Sequence, residues 1–311
     1  PLYVSGNRVM VVGMGNSAMD IASEISRQGL AERVVLSGRR GAYVFPKYIF
    51  GQPFDKLTLL APPWLPYWAK RPFINLIYRV TVGKMESFGL PTPDHKLGQA
   101  HHTISNEILG RLGSGDEIIR PGISRFEGKT VHFVDGTKEE VDIIYWCTGY
   151  NVKFPFFDED FLSAPDNNLP LFRRVFKPGL SNIFFVGLLQ PLGAIMPLSE
   201  AQSKLVAEYL TGEYRLPDEA GMRRDMQAEI DANAKRYLSS VRHTMQVDFE
   251  LYLWKLAQER KRGLKRAKGK GEPPILARAH AHDAQPAAKK SASRPKSKAK
   301  AGKKSRKAVA V

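Results

Sequence analysis

A glycine-rich turn between a strand and a helix constrains the fold of this chain more than any other feature of its sequence. Arg8–Val12 is a β-branched apolar run, and the spacing Gly-x-Gly-x-x-Ala follows it at once, from Gly13 to Ala18. Apolar side chains then recur at helical spacing, and a second apolar run follows at Arg33–Ser37. A strand, a tight turn, a helix and a second strand within about 30 residues predict a parallel α/β unit of the Rossmann type.

The residues of this turn are those that a bound dinucleotide needs. Gly13 permits the tight turn, Gly15 lets the backbone approach a pyrophosphate, and Ala18 is small enough for close packing of the helix on the strand. The pyrophosphate would rest on the helix N-terminus, where free amides and the helix dipole favour anions, and Ser17 can add a hydroxyl donor. The alternative is a glycine turn of purely structural origin.

The end of the second strand indicates which dinucleotide is bound. A carboxylate about 20 residues past the glycines would bind the ribose hydroxyl of NAD. This chain has Ser37, Arg39 and Arg40 at that place instead. Guanidinium groups bind a 2′-phosphate through charge-assisted hydrogen bonds, so the sequence predicts NADP. A solvated arginine pair on a loop is the alternative.

Two later turns also follow apolar runs. Thr148 and Gly149 come after the run Val141–Cys147, and Gln190 lies in a Gln-Pro segment after the run Ser181–Val186. Both runs are predicted to be strands. The turn at Thr148 and Gly149 suits the close approach of a backbone to a second nucleotide or between two domains, with an ordinary strand-end turn as the alternative. The segment at Gln190 precedes a predicted helix and suits an anion, to which Gln190 can offer its amide, with a plain proline-ended loop as the alternative.

The composition excludes several other classes of protein. The single cysteine, Cys147, excludes a disulfide framework, and no group of histidines is spaced to bind a metal, so no metal site is predicted. The longest apolar region, Leu57–Val80, is interrupted by prolines and charges, so no transmembrane segment is predicted. No signal peptide opens the chain, and we expect a cytoplasmic location. The chain begins at Pro1, close to a strand, which predicts a piece of a longer chain.

The net charge of +16 is confined to the C-terminal end. Residues 255–311 carry the whole excess, whereas residues 1–254 hold equal numbers of acidic and basic side chains. The segment 263–311 has no aromatic residue and cannot bury enough apolar surface to fold, so it is predicted to be a disordered basic tail. No specific nucleic-acid partner is predicted, and any non-specific binding of polyanions is assigned to the tail.

Four segments carry a family likeness: Arg8–Ala22, Leu36–Val44, Cys147–Tyr150 and Val186–Gln202. In this order and combination, the chain resembles the flavin-containing monooxygenases of the dimethylaniline monooxygenase type, from about Ser5 to Arg242. The resemblance implies an enzyme that uses NADP and FAD. NADPH would reduce the flavin, the reduced flavin would add dioxygen to form a hydroperoxide, and the hydroperoxide would oxygenate a soft nucleophile, a small amine or sulfide.

The resemblance also implies roles for individual residues. No catalytic side chain is predicted, because the cofactor carries the chemistry. The NADP pyrophosphate would be held by Gly13, Gly15, Asn16 and Ser17, and its 2′-phosphate by Ser37, Arg39 and Arg40. Thr148 and Gly149 would line the return of the chain into the FAD domain, and Gln190 would lie near the flavin.

The implied fold class is α/β. An NADP-binding domain would span residues 1–146, with a proline- and aromatic-rich insertion at about 41–110. Residues 147–215 would form the C-terminal part of a second, FAD-binding Rossmann-like domain, followed by C-terminal helices at 216–262 and the tail at 263–311.

One departure from the family pattern matters for function. The family begins with its own FAD-binding glycine motif, whereas the only such motif here starts at Gly13. We therefore expect an incomplete sequence or a truncated protein, with the activity of the chain alone left open. Two alternatives remain: a Baeyer–Villiger or N-hydroxylating flavin monooxygenase, and an NADP-binding module without activity.

Overall fold

A computed structural model describes residues 3–28, 30–54, 56, 62–237 and 244–268. Two units make up the described part of the chain. The strands of the first unit are β1 (Arg8–Val12), β2 (Arg33–Ser37), β3 (Val44–Phe45), β4 (Tyr48–Ile49), β5 (Gln52–Pro53), β6 (Thr103–Ile104), β7 (Ile118–Arg120), β8 (Ile123–Glu127), β9 (Thr130–Phe133), β10 (Lys138–Glu140) and β11 (Ile143–Trp146). Its helices are α1 (Asn16–Ile25), α2 (Tyr67–Thr81) and α3 (Ile108–Ser114).

A four-stranded parallel sheet organises this unit, in the order β11-β1-β2-β7. The register places Val11 beside Leu36 on one side and beside Tyr145 on the other. Because β1 and β2 are covered on both faces, nearly every residue along them is apolar, as is typical of parallel strands. The carboxyl ends of β1, β2 and β11 therefore meet at one edge of the sheet.

Alternate residues of β1 face two different layers. Val9 and Val11 are fully buried against α1, in a core that also contains Ala18, Met19 and Leu36. On the opposite face, Met10 and Val35 are buried against the antiparallel sheet β8–β10, where they contact Val131 and Phe133. The unit thus has a helical layer, a parallel sheet and a small antiparallel sheet, and its core lies on both sides of the parallel sheet.

The predicted strand–turn–helix–strand unit is confirmed. Arg8–Val12 and Arg33–Ser37 form strands with the predicted bounds, and the helix between them runs over Asn16–Ile25. The Asp-Gly pair at Asp135 and Gly136, which is typical of a hairpin turn, forms a turn in which the Thr137 backbone N–H donates to the Asp135 carboxylate over 3.0 Å. Gly29, which follows helix α1 in the sequence and is typical of a helix C-terminus, lies outside the described residues.

The described residues from 147 to 268 form the second unit. It contains β12 (Gln190–Leu192), β13 (Gln246–Asp248), α4 (Met196–Thr211), α5 (Glu219–Arg236) and α6 (Phe249–Ala267), and β12 pairs with β13 in parallel. Leu198 and Leu205 of α4 pack on Tyr252 and Leu256 of α6 in a buried core. A buried hydrogen-bond chain joins these elements, because Gln202 donates to the Tyr252 hydroxyl (2.7 Å) and that hydroxyl donates to the Arg173 carbonyl (2.6 Å).

One strand prediction is wrong. Ser181–Val186 is not a strand; it makes an isolated bridge between Phe184 and Phe176, and the Phe185 N–H donates to the Val175 carbonyl over 3.0 Å. A strand needs a neighbouring backbone along its length, and within the described residues no strand runs beside this segment. β-propensity and apolar character alone do not supply that partner.

The helices predicted at 216–262 correspond to α5, which begins at Glu219, and to α6, which begins at Phe249. Helix α6 continues to Ala267, past the boundary at 263 that was expected to start a disordered tail. The rest of the predicted tail, from residue 269, lies outside the described residues. Among the helices that the structure describes, none combines the length and apolar character required to cross a bilayer.

Candidate functional site

Gly13 lies where two neighbouring strands end together. Its φ of +139° is in the region that favours glycine. A Cβ at this position would stand 2.4 Å from the Cys147 carbonyl oxygen, immediately after β11, and the Gly13 N–H donates to the Ser37 carbonyl over 2.9 Å. No larger residue fits between these backbones, so the turn is narrow. Glycine has no Cβ that would keep a ligand away from the backbone of the turn.

The first turn of α1 presents its amide groups without a side-chain cap. Gly15 is the N-cap residue, with φ −91° and ψ 178°, and no side chain bonds the N-terminal amides. The first turn carries no acidic residue, Ser17 is exposed, and Ala18 is fully buried against the sheet. Uncapped amides and the helix dipole together favour an anion here.

A pair of hydrogen bonds clamps this turn from the side. The Thr103 hydroxyl donates to the Met14 carbonyl over 2.7 Å, and the Ile104 N–H donates to the Asn16 side-chain oxygen over 2.8 Å. Thr103 is almost fully buried. The Asn16 side-chain oxygen thus binds β6, so the contribution of Asn16 to a pyrophosphate would come from its backbone N–H.

Sequence reasoning missed Thr103 altogether. Thr103 lies in the insertion predicted at about 41–110, and the residues around it carry no periodic pattern. Only the three-dimensional contact between β6 and the glycine turn identifies it.

The Ser37 hydroxyl donates its hydrogen bond within the protein. The side chain is buried, and its hydroxyl donates to the Pro121 carbonyl over 2.7 Å. The predicted role of Ser37 in binding the 2′-phosphate is therefore not supported by its geometry, because the single O–H donor is already used. The next residue, Gly38, has no room for a side chain, because an added Cβ would stand 2.2 Å from Met14 Cγ.

The two predicted arginines differ in their surroundings. Arg40 Nε lies 3.2 Å from Asp94 Oδ2, an acid that is distant in the sequence but lies close to this strand end. A hydrogen bond from His95, together with Arg40, lowers the pKa of the Asp94 carboxyl, which keeps it charged. Arg39 is exposed, and the aliphatic part of its side chain packs on Gly122. Arg39 Cγ would stand 3.1 Å from a Cβ added to Gly122. In the part of the chain that the structure describes, Arg39 has no acidic partner.

Thr148 and Gly149 lie at the same sheet edge as the glycine turn. Both are exposed, and Gly149 has a φ of +106° with no atom within 4 Å of an added Cβ. Cys147 just before them is half-buried, and burial raises the pKa of its thiol. A protonated thiol is a poor nucleophile.

Gln190 belongs to the other unit. It pairs with Gln246 in the sheet of β12 and β13, and its N–H donates to the Met245 carbonyl over 2.9 Å. Upstream of it, Gly187 donates its N–H to the Gln202 side chain over 2.8 Å. The structure thus brings the predicted residues from Gly13 to Gly149 to one sheet edge, and it places Gln190 in a separate sheet.

Among the described residues, no cluster of His, Cys, Asp and Glu could hold a metal ion.

Comparison with known proteins supports a common origin with one group of enzymes. The model of a family described as flavin-binding monooxygenase-like matches residues 1–262. Flavin-containing monooxygenase 5 of Rattus norvegicus is 35% identical over 80% of this chain and 48% of its own length. Dimethylaniline monooxygenase [N-oxide-forming] 2 of Rattus norvegicus is 30% identical over 83% of this chain and 49% of its own length. The chain spans about half the length of the curated relatives it matches.

Solved structures show the same fold. A crystal structure described as OTEMO in complex with FAD and NADP covers 84% of this chain and 66% of its own, with a TM-score of 0.53 and 13% identity. At this identity the likeness concerns the fold alone.

Proposed function

The chain belongs to the flavin-binding monooxygenase-like family, and from that premise we propose that it carries the NADP-binding part of an NADPH- and FAD-dependent monooxygenase. One observation carries the proposal: the glycine turn after β1, where a Cβ on Gly13 would stand 2.4 Å from the Cys147 carbonyl oxygen beside the uncapped N-terminus of α1. A narrow turn and free helix amides at the carboxyl edge of a parallel sheet suit a pyrophosphate.

Arg39 is the residue that we assign to the 2′-phosphate. It is exposed at the end of β2, and a guanidinium can bind a phosphate through two parallel hydrogen bonds. Arg40 has a smaller part in this assignment, because its charge is already balanced by Asp94 at 3.2 Å. The preference for NADP over NAD would then depend mainly on a single side chain.

The flavin is assigned to a site that this chain supplies only in part. When bound, the flavin would supply the activation of dioxygen, and NADPH would supply the reducing equivalents. The described residues form one parallel α/β sheet of four strands, and its dinucleotide turn is the one assigned to NADP. We assign residues 147–215 to the edge of an FAD-binding domain, with Thr148, Gly149 and Gln190 toward that cofactor.

The substrate that we propose is a small soft nucleophile, an amine or a sulfide, oxygenated with dioxygen. The support comes from the relatives, one of which is named for N-oxide formation. The role of this chain would be to bind and orient NADP at the edge of the sheet.

The test uses the whole protein that carries this chain. Purified protein with FAD, NADPH and N,N-dimethylaniline is expected to form the N-oxide, whereas cyclohexanone is expected to give no lactone; both products are measured by mass spectrometry. Lactone as the main product would instead assign the protein to Baeyer–Villiger chemistry. Tight NADPH binding without any oxygenation would reduce the function to an NADP-binding module.

A further inference from the structure

A cavity of about 340 Å³ lies between the two units, away from the glycine turn. Its apolar walls come mainly from the insertion in the first unit, with Phe45, Phe54, Leu65, Phe73, Ile74 and Leu97, and Leu192 of β12 closes it from the second unit. This volume is within the roughly 300–1,000 Å³ typical of small-ligand pockets. The cavity could therefore enclose a small apolar body.

Lys70 is the unusual residue of this cavity. It lies on α2, and only 8% of its surface is exposed. In the part of the chain that the structure describes, no carboxylate pairs with it. Lysine is almost never so little exposed unless it is paired. The position therefore calls for an anion that the described side chains do not supply.

The other polar groups of the wall balance one another. Arg236 binds Asp248 over 2.7 Å, and its Nε and Nη2 atoms are buried without a hydrogen-bond partner in the described structure. Burial opposes the charge on Asp248, but Arg236 and the Leu251 N–H lower the pKa of this carboxyl. Glu250 is hydrogen-bonded to Asp248, so both carboxyl groups of the wall are engaged with described neighbours.

The remaining titratable groups of the wall are neutral. Burial, with a further contribution from His101, lowers the pKa of His102 to about 3, so the imidazole is uncharged. Burial raises the pKa of Tyr67 to about 12, so this phenol keeps its proton. Among the described residues, Lys70 is thus the cationic side chain of the wall that no carboxylate pairs, in a cavity whose other walls are mainly apolar and aromatic.

We propose that this cavity binds a small hydrophobic carboxylic acid, with its carboxylate on Lys70 and its apolar body among Phe45, Phe54 and Phe73. The two partnerless N–H groups of Arg236 would be additional donors for the carboxylate. The site is separate from the glycine turn, and the proposal does not depend on monooxygenase activity.

The experiment measures binding of 4-phenylbutyrate and of the uncharged 4-phenylbutanamide by isothermal titration calorimetry. It uses the purified protein with saturating NADP⁺, so that the dinucleotide turn is filled. Because a hydrogen bond to a charged group is worth about 1.5–3 kcal/mol, the acid is expected to bind about tenfold more tightly than the amide or better. Equal affinities, or no binding of either compound, would overturn the proposal.

Two variants and one control locate the effect. Lys70→Met removes the charge at similar size and is expected to equalise the two affinities, whereas Lys70→Arg is expected to keep the preference for the acid. Lys204→Met is the matched control, because Lys204 is an exposed lysine paired with Glu200 on α4. If Lys204→Met lowers the preference as much as Lys70→Met does, the carboxylate is bound by surface charge and the assignment to this cavity is wrong.

Discussion

The glycine turns at Gly13 and Gly187 are held in different ways. Both residues have positive φ, +139° and +76°. Gly13 is enclosed by the backbones of two neighbouring strands, with the Cys147 carbonyl oxygen 2.4 Å from a Cβ and the Ser37 carbonyl accepting its N–H. Gly187 is held by a side chain, because its N–H donates to Gln202 over 2.8 Å. The conformation of the first turn is therefore fixed by the backbones of the parallel sheet, whereas the conformation of the second turn depends on a side chain of helix α4.

The largest effect is expected for Gly13→Ala, which is compared below with the same substitution at Gly149, another glycine at this edge of the sheet. Gly13→Ala introduces a Cβ against a carbonyl oxygen at 2.4 Å and forces alanine to a φ of +139°. We expect a loss of roughly 2–4 kcal/mol in the free energy of unfolding, together with loss of NADP⁺ binding. Urea denaturation and calorimetry measure the two effects.

Gly149→Ala is the control for this prediction. Gly149 has a φ of +106°, but no atom lies within 4 Å of an added Cβ. Its substitution should therefore cost only backbone strain, about 1–3 kcal/mol, and leave the turn after β1 intact. If both variants were equally stable and bound NADP⁺ equally, the narrow turn at Gly13 would not be what shapes the site.

Arg39 should matter more than Arg40 for the choice of dinucleotide. Arg39→Ala removes a guanidinium that has no acidic partner in the described structure, and a charge-assisted hydrogen bond contributes about 1.5–3 kcal/mol. We expect the preference for NADPH over NADH to fall about tenfold or more, and Arg40→Ala to change it less. Fluorescence titration with both cofactors measures the ratio. A larger effect of Arg40→Ala would reverse our assignment.

Thr103 tests whether the clamp on the glycine turn supports cofactor binding. Thr103→Val removes a buried hydroxyl and leaves the Met14 carbonyl without its 2.7 Å donor, which costs about 1–3 kcal/mol. We expect a lower melting temperature and weaker NADP⁺ binding. Thr211→Val is the control, because its exposed hydroxyl also donates to a backbone carbonyl, that of Glu208. Identical behaviour of the two variants would show that the clamp has no role at the turn.

The sequence predicts the strand–turn–helix–strand part of the first unit well because its signals are local. Arg8–Val12, the glycine spacing and Arg33–Ser37 are adjacent in the chain, and each segment's pattern agrees with the structure that its neighbours require. Ser181–Val186 has a similar apolar pattern, but a strand also needs a partner backbone, which the pattern does not reveal.

The site is less predictable than the sheet, because its details depend on contacts between distant parts of the chain. The position of Asp94 beside Arg40 and that of Thr103 over Met14 each join the insertion to the edge of the sheet. Ser37 was assigned to a phosphate from its place at the strand end, but its hydroxyl donates to Pro121, which is far along the chain. The cavity with Lys70 joins the two units and has no sequence signal at all.

The central claim is that this chain carries a complete NADP site at the Gly13 turn but only part of an FAD site. It can be tested directly on the chain of 311 residues. The chain is titrated by calorimetry with NADP⁺ and, separately, incubated with FAD, desalted and examined for flavin absorbance. We expect one NADP⁺ per chain, no retained flavin and no oxidation of NADPH, because the described residues form one four-stranded parallel sheet with one complete glycine turn. A yellow chain that holds FAD stoichiometrically and oxidises NADPH would contradict this account, and so would a chain that fails to bind NADP⁺.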